Sequence, residues 1–130
     1  MGLATAGLSH VSIRVTDLAR AKQFYISTLG FQQMLEADGL VLVSAGGMLL
    51  GIRGDARETP DGDRFNPFRV GLDHLALAVP SEDRLQELKG QLDAAGVPNN
   101  GVEHDKLTSA TYVSFYDPDG IAWELYALPG

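Results

Sequence analysis

The chain of 130 residues contains no cysteine and is short of basic residues. Without cysteine, disulfides, thiolate metal ligands and a cysteine nucleophile are excluded, so a protein metal site must use histidine and carboxylate ligands. Ten lysine and arginine residues stand against seventeen aspartate and glutamate residues, which gives a net charge of −7. This balance argues against nucleic acid as a partner, because contact with a phosphate backbone needs a basic surface.

The sequence also lacks the apolar segments that membranes and secretion require. No apolar run approaches the roughly 18 residues of a membrane span. The stretch MGLATAGLSH at the N-terminus has neither the basic nor the apolar region of a signal peptide. We therefore expect no membrane partner and a cytoplasmic location. The length and the apolar fraction of 45% are those of one ordinary globular domain.

What the sequence does contain is an internal repeat. GLSHVSIRV at residues 7–15 resembles GLDHLALAV at residues 71–79. LVLVSAGGMLLGIR at residues 40–53 aligns without a gap with VSFYDPDGIAWELY at residues 113–126, and each of these predicts a hairpin with a tight glycine-containing turn. Because internal repeats decide architecture, the chain is best described as two similar modules.

Each module begins with a strand and continues into a helical pattern. Thr16 or Asp17 is the expected cap of the first helix and Ser81 of the second, while Gly30 and Gly96 mark their ends. With one weaker strand before each hairpin, the order in each half is strand, helix and three strands. The expected division is module one at about 7–53, a linker at 54–70, and module two at about 71–127.

The linker at 54–70 is polar and rich in turn-forming residues. An exposed connector is one interpretation, since connections between modules usually run over the surface. A lid over a ligand site is the other, because long loops in compact domains are often functional. The sequence does not decide between these two interpretations of the linker.

Strand alternation places three unusual side chains on faces that point away from the helices. His10 and His74 occupy the same position in the repeat, among small or polar neighbours, and Glu124 points away from Trp123 and Leu125. A carboxylate in an apolar strand needs a partner. Two imidazoles and a carboxylate on one side of a divalent ion would leave coordination positions open for substrate or water. Satisfied structural histidines are the alternative reading.

The segments GLSHVSIRVTDLARAKQFYISTLGF, GLDHLALAV and YDPDGIAWELY together resemble the vicinal oxygen chelate superfamily. This superfamily includes glyoxalase I, extradiol dioxygenases, fosfomycin-resistance thiol transferases and bleomycin-resistance proteins. The resemblance covers nearly the whole chain. It implies an α+β fold in which two tandem βαβββ modules form a cupped mixed sheet with helices on the outer face. It also implies one divalent metal ion per site, held by His10, His74 and Glu124.

The departures from the superfamily pattern narrow the expected activity. The fourth protein ligand of glyoxalase I falls on Gly51, which offers no ligand side chain, so glyoxalase I activity is not expected. The lysine and serine that hold the phosphonate in fosfomycin transferases fall on His104 and Thr108. Fosfomycin is therefore not favoured either.

The resemblance to extradiol dioxygenases suggests candidates for catalysis. Those enzymes add a histidine and a tyrosine to the same metal ligands, and His104 with Tyr112 or Tyr116 are the residues available here. The aligned spacing puts the tyrosine nearer Ser114, so the match is loose. For His104, an exposed surface role is the competing interpretation.

The implied chemistry is chelation of a small substrate through adjacent oxygens on Fe(II), Mn(II), Co(II), Ni(II) or Zn(II), with the ion acting as a Lewis acid. Dioxygenase-like or lyase and isomerase reactions are expected. The candidate substrate-binding residues are Ser12, Arg14, Gly51, Ser114 and Tyr126, and for Arg14 a salt bridge at the strand end is the alternative.

Two other functions remain open from the sequence. One is a non-catalytic protein that binds an antibiotic or metabolite in the same cup, and the other is a scaffold with a vestigial site. Relatives of this size often pair, with metal ligands drawn from two chains. A homodimer is therefore implied by the resemblance.

Overall fold

The computed structural model describes residues 2–129 and shows two compact units, Met1–Asp63 and Arg64–Gly130. Each unit contains one four-stranded mixed sheet. In both, the order along the chain is strand, helix and three further strands. The prediction of an α+β fold built from two tandem βαβββ modules is confirmed. Within residues 2–129, no helix is both long enough and apolar enough to cross a bilayer.

The first unit has a short helix that widens before it ends. Its elements are β1 (Val11–Arg14), α1 (Leu18–Lys22) with a π-helical continuation (Gln23–Thr28), β2 (Gln32–Ala37), β3 (Leu40–Ala45) and β4 (Met48–Arg53). The order across the sheet is β1-β4-β3-β2. Strands β1 and β4 run parallel, while the other neighbours are antiparallel.

Sequence signals set both ends of the first helix. Asp17 caps it, since its side chain accepts a hydrogen bond of 3.0 Å from the backbone N–H three residues on. In the π-helical part Leu29 N donates to Phe24 O at 2.8 Å, five residues back. The wider turn lets the adjacent Phe24 and Tyr25 both be buried, with ring centroids 5.0 Å apart. Gly30 then ends the helix with φ of 77°.

The second unit repeats this arrangement with a longer helix. Its elements are β5 (Leu75–Ala78), α2 (Glu82–Ala94), β6 (Asn99–His104), β7 (Thr111–Tyr116) and β8 (Ala122–Ala127). The order across the sheet is β5-β8-β7-β6, with β5 parallel to β8. Ser81 caps α2 as predicted, because its hydroxyl accepts a hydrogen bond of 3.1 Å from Arg84 N.

The first strand of each sheet pairs with the last strand of the same sheet in an equivalent register. Ser12 of β1 lies opposite Gly51 of β4, and Ala76 of β5 lies opposite Glu124 of β8. These are equivalent positions in the sequence repeat. The structure therefore places Gly51 and Glu124 at matching points of the two modules.

The core of each unit lies between its sheet and its helix. In the second unit, α2 packs against β6, β7 and β8. Strand β8 alternates strictly, with Trp123 and Leu125 buried, and Glu124 and Tyr126 half-buried on the other face. The face opposite the helix is thus free for polar side chains that would be costly in the core.

A buried aspartate shapes the DPDG turn before β8. The carboxylate of Asp117 accepts hydrogen bonds from Asp119 N at 2.9 Å and from Ile121 N at 2.7 Å. Gly120 adopts φ of 80°, a conformation that favours glycine. The linker reaches this turn as well, since Phe65 N donates to Asp119 O at 3.0 Å. The turn fixes where β8 begins and hence which of its residues face away from the core.

Candidate metal and substrate site

The structure brings His74 and Glu124 together in the second unit. His74 lies just before β5, and Glu124 lies in the neighbouring parallel strand β8. Nε2 of His74 is 3.3 Å from Oε1 of Glu124. The side chain of Glu124 is 16% exposed and that of His74 is 39% exposed. The two predicted ligands of the second module are therefore adjacent and still accessible from solvent.

The other ring nitrogen of His74 is held by Asp73. Nδ1 lies 2.6 Å from Asp73 Oδ1. Because a carboxylate only accepts hydrogen bonds, we assign the N–H of the neutral ring to Nδ1. Nε2 then presents a lone pair toward Glu124.

The separation between Nε2 of His74 and Oε1 of Glu124 fits a shared cation. Two hydrogen-bond acceptors that face each other at 3.3 Å need a proton or a metal ion between them. An ion bound at ordinary distances of about 2.0–2.2 Å would hold two ligand atoms about 3.0–3.4 Å apart. The spacing of this one pair of atoms is compatible with a shared divalent ion.

The charges around Glu124 also favour a bound cation. Burial raises the pKa of Glu124, a positive charge on His74 in its protonated form would oppose this shift, and the carboxylates of Asp105, Asp73 and Glu103 add to it. A half-buried carboxylate near three others is costly in its charged form unless a cation balances it.

His10 lies in the first unit, directly before β1. Its Nδ1 is 3.0 Å from the hydroxyl of Ser9, so the residue before the histidine holds Nδ1 in both modules. Within residues 2–129, no three histidine, aspartate or glutamate side chains form a group that could hold a metal ion. The described chain thus shows two of the three predicted ligands side by side.

Ser12 occupies the space that a side chain at Gly51 would need. A Cβ built on Gly51 would lie 2.6 Å from Ser12 Oγ, closer than such contacts occur, and 3.5 Å from Ser12 Cβ. The position equivalent to the fourth glyoxalase I ligand is therefore both without a ligand and partly filled. A larger residue at 51 requires the Ser12 hydroxyl to move.

We expect Gly51→Ala to lower the free energy of unfolding by about 1 kcal/mol or more, because the new Cβ overlaps the Ser12 hydroxyl. In a Ser12→Ala background the same change should cost clearly less, since the remaining contact at 3.5 Å is ordinary. Urea unfolding of the two single variants and the double variant measures this coupling. An equal cost of Gly51→Ala in both backgrounds would contradict the assignment.

Two stacked tyrosines stand on the face that carries Glu124. Tyr112 and Tyr126 are register partners, and their ring centroids are 5.9 Å apart. Tyr112 donates a hydrogen bond of 2.9 Å to Glu103, and Tyr126 one of 2.7 Å to Asp105. Tyr126 also contacts the hydroxyl of Thr108.

The carboxylate of Glu103 raises the pKa of Tyr112. Its hydrogen bond is the main reason that the pKa of Tyr112 is raised, with burial and the charge of Glu103 adding to it. The hydroxyls of Tyr112 and Tyr126 are thus held by carboxylates on the face that carries Glu124.

Ser114 and Tyr116 also lie on this face. Ser114 is the register partner of Glu124, and Tyr116 is one pair further along β7. The hydroxyl of Tyr116 accepts a hydrogen bond of 2.8 Å from Asn100 Nδ2. Both residues line the same surface, and Ser114 is the nearer of the two to the ligand pair along the strand.

His104 does not join this group. It pairs with Thr111, which is buried on the helix side, whereas its neighbour Glu103 pairs with Tyr112 on the ligand side. A register shift in β6 between Asn99 and Val102 precedes this pairing. The register therefore places His104 on the face opposite Tyr112, and a catalytic role for His104 stays a prediction.

Arg14 forms a contact that the sequence alternatives did not include. Its Nη1 donates a hydrogen bond of 2.9 Å to the carbonyl oxygen of Gly54. The guanidinium thus ties the end of β1 to the chain that leaves β4. A role for Arg14 in binding an anionic substrate stays a prediction.

Sequence reasoning missed three carboxylates of the second unit, Asp73, Glu103 and Asp105. For Asp73 a signal existed, since GLDH aligns with GLSH and both put a polar residue before the histidine. Glu103 and Asp105 gave no comparable signal, because their contacts depend on how β6 pairs with β7.

The fold and the site together define a class of protein. Residues 7–125 match the family model described as the Glyoxalase/Bleomycin resistance protein/Dioxygenase superfamily. The chain therefore belongs to this superfamily.

Individual relatives match nearly the whole chain. The uncharacterized protein YwkD of Bacillus subtilis (strain 168) is 29% identical over 126 residues, which cover 92% of this chain and 94% of that protein. The crystal structure of a glyoxylase/bleomycin resistance protein/dioxygenase domain from Frankia sp. EAN1pec is similar with a TM-score of 0.80 and 27% identity, covering 97% of this chain and 94% of that one.

A second similar structure carries a metal ion. It is a mutant of the fosfomycin resistance protein FosX from Listeria monocytogenes, complexed with Mn(II) and 1S,2S-dihydroxypropylphosphonic acid. The TM-score is 0.74 at 21% identity, and the match covers 97% of this chain and 93% of that one. At this identity the likeness shows the fold alone.

Proposed function

We propose that this protein is a divalent-metal-dependent enzyme that acts on a small molecule bound to the ion through adjacent oxygen atoms. The observation that carries the proposal is the pair His74 and Glu124, with Nε2 and Oε1 3.3 Å apart and Nδ1 engaged by Asp73. With His74 in the neutral Nδ1–H form, both atoms are acceptors, and a bound cation would balance them. His10, the repeat equivalent of His74, is the proposed third ligand.

Fe(II), Mn(II), Co(II), Ni(II) and Zn(II) are the ions that suit two imidazoles and a carboxylate. The Mn(II) in the FosX complex supports a metal of this group in a protein of the same fold. When bound, the ion supplies Lewis-acid stabilisation of negative charge on the substrate oxygens. The residues of the chain bind and orient the substrate beside it.

Tyr112 and Tyr126 are proposed to form the wall against which the substrate lies. Their rings are stacked at 5.9 Å, and Glu103 and Asp105 hold their hydroxyls in place. An anchored aromatic wall suits a flat or compact organic molecule. Ser114, opposite Glu124 in the register, is the proposed polar contact within the same surface.

The charge of this wall favours a neutral or cationic substrate. Glu103, Asp105 and Glu124 all raise the pKa of Tyr112 through their charges, so all three act on the same space. Their field opposes a phosphonate or carboxylate group. We therefore propose dioxygenase-like or lyase and isomerase chemistry on a neutral diol, dicarbonyl or related compound, and not fosfomycin inactivation.

We further propose a homodimer in which His10 of one chain completes the site of the other. Large apolar side chains near the ligand positions are exposed, as a partner surface would be. Leu8, two residues before His10, is 81% exposed, and Phe68 in the linker is 94% exposed. Leu72, two residues before His74, is 40% exposed.

The experiment that tests the metal site is elemental analysis of protein prepared without chelator. We expect about one transition-metal ion per chain in the native protein, and its loss in His10→Ala, His74→Ala and Glu124→Ala, because each change removes a ligand. His104→Ala is the matched control, since it removes a histidine outside the ligand face and should keep the metal. A full complement of metal in Glu124→Ala would refute the ligand assignment.

Mixing two inactive variants tests whether the site is shared between chains. When His10→Ala and Glu124→Ala chains are unfolded together and refolded, a shared site regains one intact set of ligands in each mixed dimer. A site within one chain regains none. Metal content restored toward one ion per mixed dimer supports sharing. Complete absence of restored metal, or a monomer in sedimentation, contradicts it.

Turnover separates the enzyme from a binding protein. The metal-loaded protein is expected to consume oxygen with catechols or to convert a neutral dicarbonyl or epoxide substrate, in both cases only with metal present. Ligand affinity that survives complete metal removal would instead identify a non-catalytic binding protein.

A further inference from the structure

Each predicted histidine ligand follows a polar residue that contacts its Nδ1. The hydroxyl of Ser9 is 3.0 Å from Nδ1 of His10, and the carboxylate of Asp73 is 2.6 Å from Nδ1 of His74. These pairs occupy the same place in the two modules, in GLSH and GLDH. The repeat therefore contains two versions of one local contact, which differ in the chemistry of the contacting group.

The two versions constrain the histidine differently. A carboxylate can only accept, so Asp73 requires the proton of the neutral His74 ring to sit on Nδ1 and leaves Nε2 with its lone pair. A hydroxyl both donates and accepts, so Ser9 is compatible with either tautomer of His10. Only His74 is fixed in the form that a metal ion needs at Nε2.

We propose that Asp73 is a positioning residue that holds His74 as the Nδ1–H tautomer with Nε2 directed at Glu124, and that Ser9 performs this function less strictly for His10. The two histidines then contribute unequally to metal binding, and His74 with Glu124 forms the primary half of the site. This inference rests on the proposed metal-dependent function. It adds a residue that neither the sequence reasoning nor the superfamily match assigns.

The simpler role for Asp73 is that of an exposed acid that acts through its charge. Its side chain is 75% exposed, and a charge in that position is well screened by salt. If charge alone mattered, any exposed acid removed from this strongly acidic chain would have a similar small effect. The contact with Nδ1 predicts instead an effect specific to Asp73 and to His74.

The first test measures metal affinity, with Mn(II) and Co(II) as probes in titration calorimetry. Asp73→Ala is expected to weaken binding about 10–100-fold, the usual cost of removing a group that orients a metal-binding histidine. Ser9→Ala should weaken it by less than about 10-fold, because the hydroxyl fixes less. Asp83→Asn, an exposed acid at the start of α2, is the charge-matched control and should leave affinity unchanged.

Exchange of the two contacting residues gives a sharper comparison. In Asp73→Ser the second module acquires the contact of the first, and affinity should fall toward that of Asp73→Ala. In Ser9→Asp the first module acquires the carboxylate, and affinity should rise above that of the native protein. Equal affinities of the native protein, Asp73→Ser and Asp73→Ala would overturn the proposal.

The second test needs no metal. Nitrogen-15 spectra of the imidazoles in the metal-free protein, at about pH 8 where free imidazole is neutral, report which ring nitrogen carries the proton. We expect the Nδ1–H form for His74 in the native protein and its loss in Asp73→Ala, with unchanged spectra in Asp83→Asn. Native protein that shows the Nε2–H form at His74 would overturn the inference. Failure of the native protein to bind metal would refute the proposed function, while these spectra still decide the role of Asp73.

Discussion

Replacing Glu124 with glutamine is expected to stabilise the metal-free protein while abolishing tight metal binding. Burial, together with the charges of Asp105, Asp73 and Glu103, raises the pKa of Glu124, and His74 offsets only part of this. A raised pKa means that folding favours the protonated carboxyl. The ionised Glu124 of the metal-free protein therefore costs stability at neutral pH, and a neutral amide of the same shape removes that cost.

The sign of the pH dependence follows from the raised pKa. The stability associated with Glu124 is fully present below the pKa of an unfolded glutamate, about 4.3, and is lost as the pH rises through the higher pKa of the folded state. Glu124→Gln should thus be more stable than the native protein at pH 7. This advantage should vanish when both are compared in acid below about pH 4.

Metal should reverse the order of stability. A ligand present at about 100 times its Kd stabilises the protein that binds it by about 2.7 kcal/mol. Thermal unfolding in EDTA should therefore rank Glu124→Gln above the native protein, and unfolding with saturating Mn(II) should rank it below. Glu58→Gln, at a position outside the helices with a side chain 77% exposed, is the control and should change neither ranking. Native protein more stable than Glu124→Gln in EDTA at pH 7 would show that the charge of Glu124 is already compensated within the chain.

Replacing Trp123 with alanine, one residue earlier in the same strand, is expected to lower the free energy of unfolding by about 3–5 kcal/mol. Trp123 is fully buried, and its ring stacks on Phe115 with centroids 6.3 Å apart. Removing it leaves a cavity that the surrounding sheet and α2 fill only in part. Because a domain is stable by about 5–15 kcal/mol, this change alone takes away much of the total.

Urea unfolding followed by circular dichroism measures this loss. Tryptophan fluorescence is unsuitable, because Trp123 is the single tryptophan of the chain. Leu128→Ala is the control, since Leu128 is 65% exposed just after β8 and its loss should change stability by less than about 0.5 kcal/mol. A cost for Trp123→Ala below about 1 kcal/mol would show that the ring is not a main support of the core.

The two substitutions have opposite signs because β8 serves two surfaces. Its odd-numbered residues Trp123 and Leu125 are buried against the helix side, and its even-numbered residues Glu124 and Tyr126 face the proposed site. The buried side chains that stabilise the unit thus lie on the helix side of β8. Glu124, whose charge lowers the stability, lies on the opposite side. Sites that bind metal commonly carry such a cost when the metal is absent.

The sequence alone determined the repeated order of strands and helices, the ends of both helices, both hairpins and the alternation that places Glu124 away from the helix side. These depend on local rules, namely the repeat, the caps at Asp17 and Ser81, the glycine turns, and the alternation of β1, β5 and β8. Such rules act over a few residues and need no knowledge of which strands are neighbours. For the same reason the sequence identified Glu124 as a carboxylate that needs a partner.

Only the tertiary structure decided what surrounds those ligands. The register shift between Asn99 and Val102 sets which residues of β6 face the site, and it places Glu103 there and His104 on the opposite face. The parallel pairing of β5 with β8 brings His74 to 3.3 Å from Glu124, and the fold before β5 lets Asp73 reach Nδ1. Pairing, register and side-chain rotation join residues far apart in the chain, and no local pattern encodes them.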